Sequence, residues 1–267
     1  MVMVIPVKQR YTHGSLQLKR GCLLPKEPPK LKLRDYLVRP MLPKVPKVFG
    51  HLTAAAPPGG WSMLGNNNKG DCVMAGAAHE TMLWAWATNR SIPKFDTAGV
   101  VGQYLNLTGG ADTGLDPVSA AQWRQNVGIT DADGKVHKID AYVQIENVDE
   151  LKLAGYLFGC AGQCWSLPDT AEDQFSAGQV WNDLSGPPDP DEGHYTPFGG
   201  VNSVGNLEFL TWGQIQGASE AYTAKYMVTN GCIAYLSQEY LLATGLSPEA
   251  INWGDLEADL QEVTAAA

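Results

Sequence analysis

Apolar and polar positions fall into two regimes along this chain. From Trp61 onward they recur at the spacings of packed elements, whereas Lys8 to about Gly60 holds no sustained helical or strand period. The clearest element is the alanine-rich run that opens at Cys72, directly after Gly70-Asp71, and continues through Val73, Ala77, Leu83, Trp84 and Trp86. It predicts a largely buried helix from about Cys72 to Thr88. Further helices are expected at about 96–107, at 117–127 after the start signal Asp116-Pro117, and at 147–158. Runs at about 136–144 and 159–166 read as strands. After the Pro/Asp/Gly-rich loop 183–193, segments 194–202 and 207–213 read as a hairpin turning at Ser203-Val204-Gly205-Asn206. A helix at about 217–228, a strand at 231–236 and a C-terminal helix at about 253–264 complete an α+β arrangement, with helices first and mostly antiparallel strands later.

The irregular lead changes that picture most. Prolines 25, 28, 29, 40, 43, 46, 57 and 58 favour extended backbone, so residues 1–60 read as a basic, Pro-rich arm and 61–267 as the domain. The chain carries a net charge of −9, yet its first 50 residues hold 11 Lys and Arg against 2 acidic residues. A basic arm therefore precedes a strongly acidic body. Two uses for such an arm stay open: wrapping its own acidic domain, or reaching other protein subunits. The acidic body argues against a nucleic-acid partner.

The remaining composition, 44% hydrophobic over 267 residues, is that of a globular protein. No apolar run is long enough for a membrane helix, and the start Met-Val-Met-Val-Ile-Pro-Val-Lys lacks the layout of a secretory signal, so we expect no membrane association and a cytoplasmic or virion location. Five scattered cysteines (Cys22, Cys72, Cys160, Cys164, Cys232) do not form a disulfide framework. Cys160 and Cys164 lack the partners of a zinc site, and we expect neither metal nor cofactor.

Cys72 is the candidate for chemistry. A thiol at a helix N-terminus meets the positive end of the helix dipole and unpaired N–H groups, which lowers its pKa; the alternative is a small buried hydrophobe. A cysteine nucleophile needs a base and oxyanion donors. Among the five histidines, His79 lies about 10.5 Å along the helix from Cys72, too far to touch it and placed for packing. His194, directly after Gly193 at the start of a hairpin strand, is the better base.

Cys72 on a buried helix and His194 on a later antiparallel strand resemble the papain-like cysteine peptidase superfamily. In that superfamily an amide side chain six residues before the cysteine serves the oxyanion hole, and Asn66 stands there, in place of the usual glutamine. The superfamily's Asn-Ser-Trp-Gly strand end is similar to Leu210-Thr211-Trp212-Gly213. The resemblance implies a papain-like fold, a central cysteine-bearing helix packed on an antiparallel sheet, with catalytic Cys72, His194 and Asn66 supported by Trp212. It also places Leu210 where the superfamily keeps its histidine-orienting asparagine, a role open here to Thr211, Gln214 or a carboxylate from elsewhere. The pattern is further similar to proteins encoded by bacteria and their phages.

Three readings follow. The first is a cysteine hydrolase, peptidase or amidase, acting on a protein or peptidoglycan amide through a Cys72–His194 dyad. The second is a catalytically inert papain-fold structural protein of a larger assembly such as a phage virion, tied in by its arm. The third is amide transfer or thiol-linked crosslinking on the same scaffold.

Overall fold

The computed structural model describes residues 9–13, 16–89, 91–191, 193–236, 240 and 251–265. The opening residues 1–8, read above as lacking a secretory signal, lie outside them. In chain order the elements are β1 (Gln9–His13), β2 (Leu16–Lys19), α1 (Leu33–Tyr36), β3 (Phe49–Gly50), α2 (Cys72–Asn89), α3 (Thr97–Leu107), α4 (Pro117–Asn126), β4 (Ile129–Thr130), β5 (Val136–His137) and β6 (Ala141–Gln144). They continue with α5 (Val148–Phe158), β7 (Ala161–Ser166), α6 (Thr170–Ser176), β8 (Gly193–Val201), β9 (Leu207–Thr211), β10 (Gln214–Ala218), α7 (Glu220–Tyr226), β11 (Ile233–Leu236) and α8 (Trp253–Ala265).

The architecture is the expected α+β arrangement, a cysteine-bearing helix packed on an antiparallel sheet. An antiparallel sheet runs in the order β10-β9-β8-β7-β11-β6, with β3 added against β8. Helix α2 packs on β8 and β9, whose inward side chains are buried along the whole of β8. Small residues permit the close approach. A Cβ on Gly76 of α2 would meet the Tyr195 ring at 2.7 Å, so that glycine lets helix and strand pack in direct contact. Residues facing away from α2 build an aromatic layer in which Trp165 meets Phe209 and Trp181 edge-on at centroid distances of 4.7 and 5.5 Å.

Two expectations need correction, and one helix is added. The helix expected at about 217–228 covers only Glu220–Tyr226: residues 214–218, of which 214–216 lie in no expected element, form β10, paired with β9 across a two-residue turn at Trp212-Gly213, both in the left-handed region (φ 45° and 71°). The alternation Gln214-Ile215-Gln216 is the strand signal, and the helix waits for Ser219, whose hydroxyl accepts from Tyr222 N–H as its cap. The run 136–144 splits, with β5 pairing β4 and β6 joining the main sheet. Helix α6 is new to the description: its seven residues are too few and too polar to show a period.

The described part of the first 60 residues contains a β1–β2 hairpin, the single turn α1 and strand β3, and from Leu18 onward it packs on later parts of the chain. Leu18, Cys22, Leu33 and Tyr36 are buried core residues. Opposite charges meet there, Lys32 and Arg34 on Glu146 and Arg20 on Glu172.

A buried ion pair ties α4 to α2 and, through Tyr195, to β8. Arg124 of α4 donates to Glu80 of α2, both within 2% of full burial, and its guanidinium lies 4.5 Å over the Tyr235 ring. Tyr195 Oη of β8 donates to the other Glu80 oxygen at 2.8 Å and lies 2.8 Å from Tyr235 Oη. Removing one partner strands a charge. Arg124→Met is therefore expected to cost about 3–5 kcal/mol in urea unfolding, with Arg124→Met/Glu80→Gln recovering part of that loss.

Candidate active site

Cys72 is the first residue of α2, because the Asp71 carbonyl already accepts the helical hydrogen bond from Ala75 N–H. Its own N–H is thus one of the helix's unpaired donors. The thiol is buried, with the backbone amides of Tyr195 and Gly21 against the sulfur. Burial pushes its pKa up to about 12, against a contribution of those amides in the opposite direction. The expected activation by the helix terminus is overridden here. Three units above the ordinary value of 9.0 is about 4 kcal/mol, whereas a helix terminus contributes about 1 kcal/mol.

His194 stands at the start of β8 with its ring stacked on Trp212, centroids 4.5 Å apart and planes 18° from parallel. Trp212 is held in turn by Phe175 of α6 and by Trp181. His194 Nε2 lies 2.6 Å from Thr211 Oγ1, while the buried Nδ1 makes no hydrogen bond. The imidazole and the thiol are therefore not hydrogen-bonded to each other. Burial, and then the nearby Arg20 guanidinium, drive the His194 pKa well below its usual value, so the ring is neutral.

Of the other candidates, Asn66 is buried beside Cys72 on a turn strained at Leu64 (φ 51°), and its amide donates to Lys69 O at 3.1 Å. Leu210, His79 and Trp212 share with Asn66 and Cys72 a cavity of only about 10 Å³, the space of one water. His79 Nε2–H donates to Ser62 O at 2.9 Å and its ring packs on Trp61, as expected for a packing residue. Gln214 is exposed at the start of β10 and has no part in this cluster, so of the two side chains proposed to orient His194 it is Thr211 that touches it.

The chain's own N-terminal segment runs between Asn66 and Leu115 on one side and Gly193 and Trp212 on the other. Lys19 N–H donates to Asn66 O and Lys19 O accepts from Trp212 Nε1 at 3.0 Å. Gly21 O accepts from Leu115 N–H, Cys22 N–H donates to Gly193 O, and Leu23 N–H to Leu115 O, at 2.8, 3.0 and 3.1 Å. Side chains are absent where this backbone passes: a Cβ on Gly21 would overlap Gly70 O, and one on Gly193 would overlap Cys22 O. Arg20, from the same segment, turns into a fully buried pocket. Its Nε donates to Glu172 Oε1 at 2.5 Å, its Nη atoms to Leu167 O and Pro168 O at 2.7 and 2.9 Å, and a second bond closes on Glu172 Oε2. Arg20, Gly21, Glu172 and Tyr195 escape sequence reasoning, because backbone pairing and a seven-residue helix leave no pattern. Among the described residues no group of three or more His, Cys, Asp or Glu is arranged to hold a metal ion, and no helix is long and apolar enough to cross a membrane.

Several solved cysteine proteases share this architecture. The chain is similar to xylellain, a cysteine protease from Xylella fastidiosa, at 12% identity and a TM-score of 0.56, covering 82% of this chain and 98% of that one. It is similar to procathepsin B from Trypanosoma congolense at 12% identity and a TM-score of 0.61 (82% and 86% covered), and to the cysteine protease and lectin-like domains of Cwp84 from Clostridium difficile at 11% and 0.56 (73% and 52% covered). The fold is therefore papain-like. No protein-family model and no curated protein sequence matches the chain.

Asp71, the residue before Cys72, is buried, and burial raises its pKa to about 8. Its proton is held more tightly in the folded chain than in the unfolded one, so stability falls as pH rises from about 4 towards 8, at most about 1.4 kcal/mol per unit. Asp71→Asn should remove that slope. Relative to wild type, its urea-unfolding free energy is expected to gain a few kcal/mol between pH 5 and pH 8, and an unchanged difference would show that the carboxyl is already ionised.

Proposed function

We propose that this chain is a cysteine hydrolase of amide bonds whose cleft is closed by its own N-terminal segment. The observation that carries this reading is the Thr211 hydroxyl on His194 Nε2. When Nε2–H donates to Oγ1, the ring keeps its lone pair on Nδ1, the form that a base beside a thiol requires. A hydroxyl thus takes the orienting part that Leu210 cannot play.

With the segment withdrawn, Cys72 Sγ loses its proton to His194 and attacks the amide carbonyl carbon. Charge developing on the carbonyl oxygen is met by the Cys72 backbone N–H and the Asn66 amide. The imidazolium then protonates the leaving amine, and water releases the acyl group from sulfur with the same imidazole as base. Water access also lowers the thiol pKa, since burial is what raises it in the closed state. The similarity to xylellain and procathepsin B supports a protein or peptide amide as substrate; a peptidoglycan crosslink is the other amide that this chemistry serves.

The filled cleft favours a second reading, a papain-fold structural protein of a larger assembly in which Cys72 never meets substrate. Gly21→Ala separates the two, because its methyl has no room against Gly70 and the segment must lift. For the hydrolase, Cys72 labelling by iodoacetamide at pH 7.5, followed by peptide mass spectrometry, is expected to rise at least about ten-fold over wild type. Labelling that stays at the rate of an ordinary thiol after the segment lifts would sink the hydrolase reading.

Thr211→Val in the Gly21→Ala background removes the orienter without changing shape. Cys72 labelling should then fall roughly ten-fold or more at pH 7.5, and Thr211→Ser should restore it. A rate indifferent to the hydroxyl would leave His194 without a role as base.

A further inference from the structure

The pocket that holds Arg20 is built for a guanidinium group and lies inside the cleft. Both Glu172 oxygens face the Nε and Nη edge of Arg20, and two backbone carbonyls, Leu167 O and Pro168 O, take the remaining Nη protons at 2.7 and 2.9 Å. Arg20 and Glu172 are both buried, with side chains 3% and 2% exposed. Four donors in one plane meeting a carboxylate edge and two carbonyls is the geometry of a planar fork; a lysine ammonium, with three donors about a single atom, cannot satisfy all four acceptor positions. Phe175, on the same helix as Glu172, packs edge-on against Trp212 at 4.9 Å, and Trp212 carries the His194 ring. The pocket therefore opens beside the imidazole.

The chain entering it is extended, and its backbone is hydrogen-bonded from both walls, by Asn66 and Leu115 on one side and by Gly193 and the Trp212 indole on the other. The cleft thus reads an extended peptide with an arginine side chain at one position, and residues 19–23 occupy that reading now. We infer that the Glu172, Leu167 O and Pro168 O pocket is an arginine subsite of this cleft, so that the molecules it accepts in place of the N-terminal segment are peptides or proteins bearing arginine. This rests on the hydrolase reading only for what happens to such a peptide; the pocket itself stands on the fork geometry.

Full-length Arg20→Ala empties the pocket while keeping the rest of the segment. N-Ethylguanidinium is then expected to bind it and raise its melting temperature, with N-ethylurea, which has nearly the same shape without charge, and ethylammonium each weaker by roughly 10- to 100-fold. Arg20→Ala/Glu172→Gln should lose that preference. A synthetic peptide copying residues 16–24 should likewise bind Arg20→Ala at least about ten-fold tighter with arginine than with citrulline at its fifth position, measured by calorimetry. Should Arg20→Ala fail to fold alone, its refolding yield in N-ethylguanidinium against N-ethylurea makes the same comparison. Equal response to charged and uncharged compounds, or to neither, overturns the arginine subsite. Cys72 takes no part in these measurements: a selective pocket beside an unreactive Cys72 removes the hydrolase and leaves the subsite, and a reactive Cys72 beside an unselective pocket does the reverse.

Discussion

The hydrogen bond from Tyr195 Oη to Glu80 Oε1 is the contact on which the site depends. Glu80 lies on the helix that begins with Cys72, and Tyr195 follows His194 on the strand. The bond therefore sets where the thiol-bearing helix meets the imidazole-bearing strand. It persists because Glu80 is charged and buried, and such a carboxylate is stable only while Arg124 faces it from α4 with Tyr235 beneath the guanidinium. Hydrophobic packing alone would allow α2 to slide along β8 at modest cost. The shared carboxylate does not, since any slide leaves a polar group buried without its partner.

Three buried carboxyl groups around the cleft are handled in three ways. Glu80 is paired within the domain. Glu172 is paired by Arg20, which belongs to the segment in the cleft. Asp71 is raised to about 8 by burial and spends neutral pH largely protonated. That neutrality matters for Cys72, since an ionised Asp71 is one of the groups that raise the thiol pKa. The closed state is consequently one in which thiol, imidazole and neighbouring carboxyl are all predominantly uncharged, and charge separation at the site waits on water.

What was legible in the sequence follows the strength of local patterning. Cys72–Asn89 was readable because its apolar run is continuous, and β8 with β9 because alternation and the turn at 203–206 agree. The papain-like fold was legible through a family resemblance carried by Asn66, Cys72, His194 and Trp212-Gly213. Beyond that, sequence logic failed where backbone does the recognising. Gly21, Gly70 and Gly193 carry no side chain to read, and their role appears only once Lys19 to Leu23 is seen between Asn66, Leu115 and Gly193. The thiol's pKa departs from the helix-terminus expectation for the same reason. A helix N-terminus favours the thiolate by an amount fixed locally, but the opposing burial is imposed by a segment 50 residues away in sequence.

The uneven charge of the chain also takes on a different meaning. Opposite net charges bring a basic segment towards an acidic domain, but the contacts formed are of two kinds. Lys32 and Arg34 meet Glu146 while themselves 35% and 49% exposed, so salt screens them and each is worth less than about 1 kcal/mol. Arg20 is buried with Glu172 and flanked by paired backbone, where a Debye length has little bearing. Ionic strength should therefore loosen the rim of the segment without emptying the cleft. Displacing the segment would require Arg20 to leave its buried partners together with the backbone hydrogen bonds of Lys19 to Leu23. The charge asymmetry guides the segment to its place, and the guanidinium pocket keeps it there.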